Sequence, residues 1–387
     1  MPNSLPSASP AALEHSSRLS QFIQHDIAAH GGWISFARYM ELALYAPGLG
    51  YYTAGAHKFG EAGDFITAPE LSVLFGKTLA RQMQQIMAQS APHILELGAG
   101  SGKLAVDMLT ELAALNALPD SYSILEVSAD LRQRQRALMQ EKMPHLLARV
   151  QWLDTLPEKF SGAMVANEVL DALPVHLVDW HDNRIQERGV VATDSSFAYA
   201  ARDIADAALL AAAQAVRPEQ IEADYHSEIC LAAHGLIQSL AACLEQGALL
   251  LIDYGFGASE FYHPQRKRGT LMCHYRHHAH DDAFYLPGLQ DITAHVNFTD
   301  IAECGIDAGL ELLGYTNQAF FLINGGITEL LAQQDPENLR TYLPLSAQLQ
   351  KLTSPSEMGD LFKVIAFGRG MTQGLSSFVR GDLSRAL

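Results

Sequence analysis

Three glycines alternate with small residues in GAGSG (98–102), directly after the apolar run HILEL (93–97). Glycine tolerates φ > 0 and carries no Cβ, so such a turn lets a ligand lie against bare backbone. At a strand end of a doubly wound sheet, that is where ligands bind. A dinucleotide fingerprint needs its third glycine one position later, where Lys103 stands, and no Gly-Lys-Ser/Thr follows to make a P-loop. The tight spacing of Gly98, Gly100 and Gly102 with Glu96 ahead suits S-adenosylmethionine, which carries an amino acid and a sulfonium but no pyrophosphate. Glu126 ends the next apolar run, SYSILEV (121–127), near the ~20-residue distance at which an acid meets ribose hydroxyls. Asp154, just past RVQWL (149–153), is placed to reach the adenine end. A nicotinamide cofactor and a purely structural turn are the alternatives, and Glu126 alone also reads as an acid in a helix N-cap region.

A second group of acids follows the fourth apolar run. VANEVLDALPVH (165–176) carries Asn167, Glu168 and Asp171 where that strand leaves the sheet. Methyl transfer is an in-line displacement on carbon, so a protein contributes positioning and charge stabilisation. A guanidinium is a poor nucleophile, and its planar fork pairs with carboxylates. Glu168 and Asp171 could align one nitrogen and offset the charge that the methylated product keeps. The same acids could instead cap a short helix before Pro174. In DITAHVNF (291–298), strict alternation puts Asp291, Thr293, His295 and Asn297 on one strand face. His295 then either lines an acceptor cleft or faces solvent on an edge strand. CHYRHHAHDD (273–282) looks like a metal site, but its spacing matches no zinc pattern and transfer from a sulfonium needs no metal. A loop touching a protein substrate, through Tyr275 and Arg276, fits it better.

These residues need a frame. HILEL, SYSILEV, RVQWL, GAMVAN (162–167) and GALLLIDYG (247–255) read as five buried strands, the first three separated by helical stretches at 103–115 and 129–143. Strands alternating with helices predict right-handed crossovers and a mostly parallel, doubly wound α/β sheet. ELLGYTNQAFFLIN (311–324) and GDLFKVIAF (359–367) supply two closing strands, the last antiparallel. Ahead of the sheet, 1–12 reads as a disordered tail and 13–90 as a mainly helical N-terminal lobe, with helices near 13–29, 35–44 and from Pro69 to about 89. The methyltransferase-like domain covers 91–370. It holds two insertions, about 175–225 (a hairpin and an Ala-rich helical stretch) and 256–298, and a helix over about 227–244 leads into the fifth strand. A tail, 371–387, closes the chain.

The formal charge of −17, from 26 basic and 43 acidic residues, argues against non-specific binding to nucleic acid or anionic membrane. Four scattered cysteines without a C-x-x-C pair suggest reduced thiols, and no apolar run reaches the ~18 residues of a membrane span. With no leader pattern at the start, a cytoplasmic location is expected.

GDFITAPELSVLFG (63–76), LELGAGSGKL (95–104), NEVLDALPVH (167–176), LIDYG (251–255), DITAHVNF and GDLFKVIAF together resemble the MidA-type family of class I methyltransferases, over about residues 36–367. Mitochondrial members of that family are complex I assembly factors and protein arginine methyltransferases. The resemblance implies that Glu96, Gly98, Gly100 and Glu126 bind S-adenosylmethionine. It also implies that Asp64, Thr67, Pro69 and Glu70 lie on a lobe closing over the cofactor. Val127 departs from it, where isoleucine is usual. The expectation is an S-adenosylmethionine-dependent methyltransferase acting on a protein arginine, with a complex I subunit or related acceptor as partner. Its rivals are a non-catalytic assembly factor that binds S-adenosylmethionine and an NAD-dependent oxidoreductase.

Overall fold

The apolar runs fold into seven strands: β1 (His93–Leu97), β2 (Ser121–Leu125), β3 (Val150–Leu153), β4 (Phe160–Asn167), β5 (Leu244–Phe256), β6 (Glu311–Asn317) and β7 (Phe362–Arg369). The structure is a computed structural model that describes residues 5–55, 67–181, 184–194, 196–216 and 225–387. In the sheet the order is β6-β7-β5-β4-β1-β2-β3. β1 to β5 run parallel, and β7 is antiparallel to both β5 and β6. The strand order reverses between β1 and β4, which makes the carboxyl ends of those two strands the expected ligand crevice.

This sheet belongs to one of two compact units, built from 66–169, 236–257 and 296–387. Its core includes Ile94, Tyr122, Val165, Leu250 and Val364 from the strands. Helix Val73–Met87 adds Phe75, Leu79, Met83 and Ile86, so that helix is part of the sheet's own core. The single helix expected from Pro69 breaks at Ser72, whose extended backbone and Oγ cap the second segment by accepting from Leu74 N–H at 3.3 Å. Glycines near the starts of β4 and β5 allow close approach of neighbouring strands: a Cβ on Gly162 (φ 141°) would lie 2.3 Å from the His93 carbonyl oxygen on β1. A Cβ on Gly247 (φ 134°) would lie 1.9 Å from the Gly162 carbonyl oxygen. Gly247→Ala is therefore expected to cost roughly 3 kcal/mol or more. Urea unfolding checks this: the midpoint should fall with the slope unchanged, and a midpoint equal to wild type would refute it.

The second unit comprises 1–65, 170–235 and 258–295. Helix Pro10–Ala29 and helix Phe36–Tyr45 bury Ile23, Phe36 and Tyr39 in one core with Phe197 and Ile292. The first insertion forms an antiparallel sheet, with Arg184–Ala192 between Ile34–Ser35 and His176–His181, then Tyr225–Ile229 beyond; Phe197–Asp203 also pairs with Arg184–Ala192. The Ala-rich helix is Ala207–Ala215. The histidine-rich segment is a hairpin. His278–His280 and Asp291–Thr293 flank Met272–Tyr275, and Arg276 and His277 make the turn with φ of 49° and 64°.

Further local expectations change. DITAHVNF is not one alternating strand: it splits into Asp291–Thr293 and Val296–Asn297, and Asn297 caps helix Phe298–Asp307 by accepting from Asp300 N–H. Asp291 and Thr293 are fully buried rather than facing solvent. Residues 227–229, expected to open a helix, belong to the strand Tyr225–Ile229, and the helix begins at Leu231.

Candidate functional site

β1 ends at Leu97 and the chain turns through Gly98, Gly100 and Gly102 at φ of 62°, 53° and 87°. Each lies in the left-handed region that other residues enter at a cost. The three glycines differ in what they face. A Cβ on Gly98 would come within 3.0 Å of Val169 Cγ2, and one on Gly102 within 3.1 Å of Gln135 Cγ. A Cβ on Gly100 would meet no atom of the described residues within 4 Å. Gly102 thus allows close packing, whereas Gly98 and Gly100 leave backbone accessible. Gly98 N–H donates to Leu125 O at 3.0 Å, tying the turn to the end of β2. Ser101 donates to the carboxylate of Glu70 on the short helix Ala68–Leu71 and accepts from Lys103 N–H. Glu70 therefore reaches the glycine turn. Pro69 is buried and Thr67 sits at the helix N-cap position without a side-chain cap bond. Asp64 lies outside the described residues.

Glu96 is buried on β1 and accepts from Tyr122 O–H at 2.6 Å. Burial pushes its carboxyl from 4.5 up to about 7, opposed by the tyrosine bond and aided by the nearby Glu126 charge. A carboxyl raised in the folded state contributes stability that is complete below pH 4.5 and lost as pH rises through 7. Relative to a Glu96→Gln variant, the wild type should lose about 3 kcal/mol between pH 4 and pH 8. Urea melts of both proteins at several pH values check this; parallel curves would contradict it.

Glu126 follows β2 and is buried, with Oε1 accepting from Ser128 N–H at 2.9 Å and Oε2 from Gln135 Nε2 at 3.1 Å. Burial raises its pKa, against those hydrogen bonds and the Arg132 charge. The next side chain, Val127, is 69% exposed, an apolar surface beside a buried acid. Arg132 ties β2 to β3: Nε donates to Glu126 O at 2.6 Å, and the two terminal nitrogens to Asp154 Oδ1 at 2.6 Å and Leu153 O at 2.8 Å. Asp154 is otherwise solvent-exposed.

β4 ends at Asn167, whose Oδ1 is buried with no hydrogen-bond partner among the described residues. Asn167 Nδ2 donates to Glu168 Oε1 at 3.1 Å, and Ala68 N–H to the same oxygen at 3.4 Å. Glu168 itself has φ of 54°, an uncommon state for a residue with a Cβ. Its N–H donates to Ile252 O, and Val169 N–H donates to Oδ2 of the fully buried Asp253. Neighbouring strand β5 thus imposes that backbone. No helix follows; 170–173 is a turn.

The sheet-bearing unit so brings together Glu96, Gly98, Gly100, Gly102, Glu126, Asn167, Glu168 and Glu70. Asp171 and His295 fall in the other unit. Asp171 is buried there, its carbonyl accepting from Ala294 N–H. Its charge raises the pKa of Tyr52, though burial and the Asp291 charge act more strongly. Tyr52 O–H donates to both Asp291 oxygens at 3.0 Å, and Tyr45 stacks on Tyr52. His295 N–H donates to Thr270 Oγ1 at 3.0 Å. Among the described residues, no three His, Cys, Asp or Glu side chains converge as a metal site.

The residues present fit S-adenosylmethionine. The open backbone at Gly100 admits a ligand, the orphaned Asn167 Oδ1 can accept from an ammonium, and Glu126 with Val127 offers a carboxylate for hydroxyls beside an apolar surface for a base. Gln135 was not among the expected residues. The signal for it was a glutamine in the apolar stripe Leu131, Gln135, Met139 of helix Ala129–Lys142.

A family model for S-adenosyl-L-methionine-dependent methyltransferases matches residues 74–316. The chain is 50% identical, with a TM-score of 0.96, to a crystal structure from Burkholderia thailandensis bound to S-adenosyl-homocysteine, covering 99% of this chain and all of that one. It is 30% identical to "Protein arginine methyltransferase NDUFAF7, mitochondrial" of Danio rerio, over 86% of this chain and 82% of that protein. The same protein of Bos taurus is 31% identical over 87% and 80%. The mitochondrial names of these relatives overturn the cytoplasmic location expected above. The physical reason is that reduced thiols fit any reducing compartment, and that the described residues contain no helix long and apolar enough to cross a membrane says nothing of which compartment it is. Fold, glycine turn and family model agree: the chain belongs to the MidA-type family of class I S-adenosylmethionine-dependent methyltransferases.

Proposed function

We propose that this methyltransferase acts on an arginine side chain of a protein acceptor, with a respiratory complex I subunit as the acceptor class. The similarity to proteins named as arginine methyltransferases, over more than four fifths of the chain, carries the reading. S-adenosylmethionine supplies an electrophilic methyl group on a sulfonium. The turn Gly98–Gly100–Gly102 lies against the amino-acid end, with Glu96 and Asn167 behind it. Glu126 takes the ribose hydroxyls, and Asp154 stands at the adenine end. Glu70 fixes the turn through Ser101, and Thr67 and Pro69 start the short helix that carries it.

Glu168 is the carboxylate assigned to the acceptor. Its backbone strain and its bonds from Asn167 and Ala68 hold one oxygen in place, which suits a group that must pair with a planar guanidinium. A carboxylate there aligns one nitrogen and offsets the cation retained by the product. Asp171 and His295 are assigned to acceptor positioning.

The test is incubation of the purified protein and trideuteromethyl-labelled S-adenosylmethionine with proteins from cells lacking this gene, followed by hydrolysis and mass spectrometry. Labelled methylarginine, absent with Glu168→Gln, is the expected product. Label confined to lysine, histidine or a small molecule would overturn the arginine assignment.

A further inference from the structure

The side chain of Gln135 is fully buried on helix Ala129–Lys142, and all of its amide is engaged. Nε2 donates to Gly100 O at 2.9 Å and to Glu126 Oε2 at 3.1 Å. Oε1 accepts from Trp152 Nε1–H at 2.8 Å. An amide rotated by half a turn would set its oxygen against two acceptors and its NH2 against the indole donor. The Trp152 bond and the two acceptors together fix which way the amide points. Trp152 is itself held on β3, its ring covered by the Arg136 guanidinium at 4.6 Å. One neutral side chain thus links the carbonyl of the open glycine to the carboxylate that follows β2, and Gly102 packs against its stem.

We infer that Gln135, oriented by Trp152, is a positioning residue for cofactor recognition: it sets the Glu126 carboxylate toward the ribose hydroxyls and holds the Gly100 carbonyl in register with it. This rests on the assignment of Glu126 to the ribose. Without the amide, Glu126 Oε2 loses a donor in a buried place, where an unsatisfied carboxylate either turns away or takes a proton. Either change weakens acceptance from a ribose hydroxyl while leaving the amino-acid end of the cofactor alone. A residue that merely filled the core would weaken every ligand alike.

The experiment compares S-adenosylhomocysteine with its 2′,3′-dideoxy analogue by calorimetric titration of the full chain. Two hydrogen bonds to a carboxylate predict about a hundredfold preference for the parent compound in the wild type. Gln135→Leu is expected to shrink that preference to about fivefold or less, chiefly by weakening the parent compound. Trp152→Phe, which keeps an aromatic ring but removes the donor to Gln135 Oε1 and so loosens the amide, is the second variant should Gln135→Leu not fold. It is expected to cut the preference by about threefold to tenfold. An unchanged preference in the variants, or equal weakening of both ligands, overturns the positioning role. A wild type with no preference overturns instead the assignment of Glu126 on which the inference rests.

Discussion

Glu168→Gln is expected to lower methyl transfer at least a hundredfold while leaving the affinity for S-adenosylhomocysteine within about threefold of wild type. The size follows from removing one charge-stabilising group at a transfer site, typically a factor of about 10² to 10³ in turnover. The separation follows from the local structure. The backbone of Glu168 is held by Ile252 O and its neighbour by Asp253, so glutamine inherits the same conformation, φ of 54° included. Glutamine also preserves an oxygen to accept from Asn167 and Ala68. Only the charge changes. Single-turnover rates with a methylatable acceptor, set beside calorimetric affinity, check the claim. Transfer at the wild-type rate would remove Glu168 from the chemistry, and would favour an assembly factor that uses its cofactor only for shape.

Glu126→Ala is expected to do the reverse, weakening S-adenosylmethionine about a hundredfold or more. Hydrogen bonds to a charged group contribute about 1.5–3 kcal/mol each, and the carboxylate has two hydroxyls to serve. The variant also leaves the Ser128 N–H without its acceptor and removes one of the two acceptors of Gln135 Nε2, so a modest fall in stability accompanies it. Affinity reduced less than threefold would place the ribose elsewhere.

The sheet was legible because buried parallel strands read as continuous apolar runs, and because glycine marks the one place where bare backbone is needed. Spacing alone singles out Gly98, Gly100 and Glu126 as candidates. It does not reveal their different tasks, since the sequence does not show that Gly102 packs on Gln135 while a Cβ on Gly100 would meet no atom of the described residues within 4 Å. Polar residues buried by specific partners were the main obscurity. Tyr225–Ile229 hides Glu228 completely, and the strand is viable because Thr270 N–H, Thr270 O–H and Leu271 N–H satisfy that carboxylate. Asp291, read as one member of a polar face, is enclosed beneath Tyr52. QAFFLIN (318–324), read as the end of a strand, is a helix because Asn317 caps it by accepting from Phe320 N–H at 2.9 Å. A short apolar run does not reveal its period, so only the cap distinguishes the two.

The most direct test of the account is calorimetric titration of the purified, cofactor-stripped protein with S-adenosylmethionine, with NAD as the control. One-to-one binding of S-adenosylmethionine at micromolar concentration, lost in Glu126→Ala and absent with NAD, is the predicted result. Failure to bind either compound, or binding of NAD alone, would contradict the cofactor site built here on Gly98, Gly100 and Glu126.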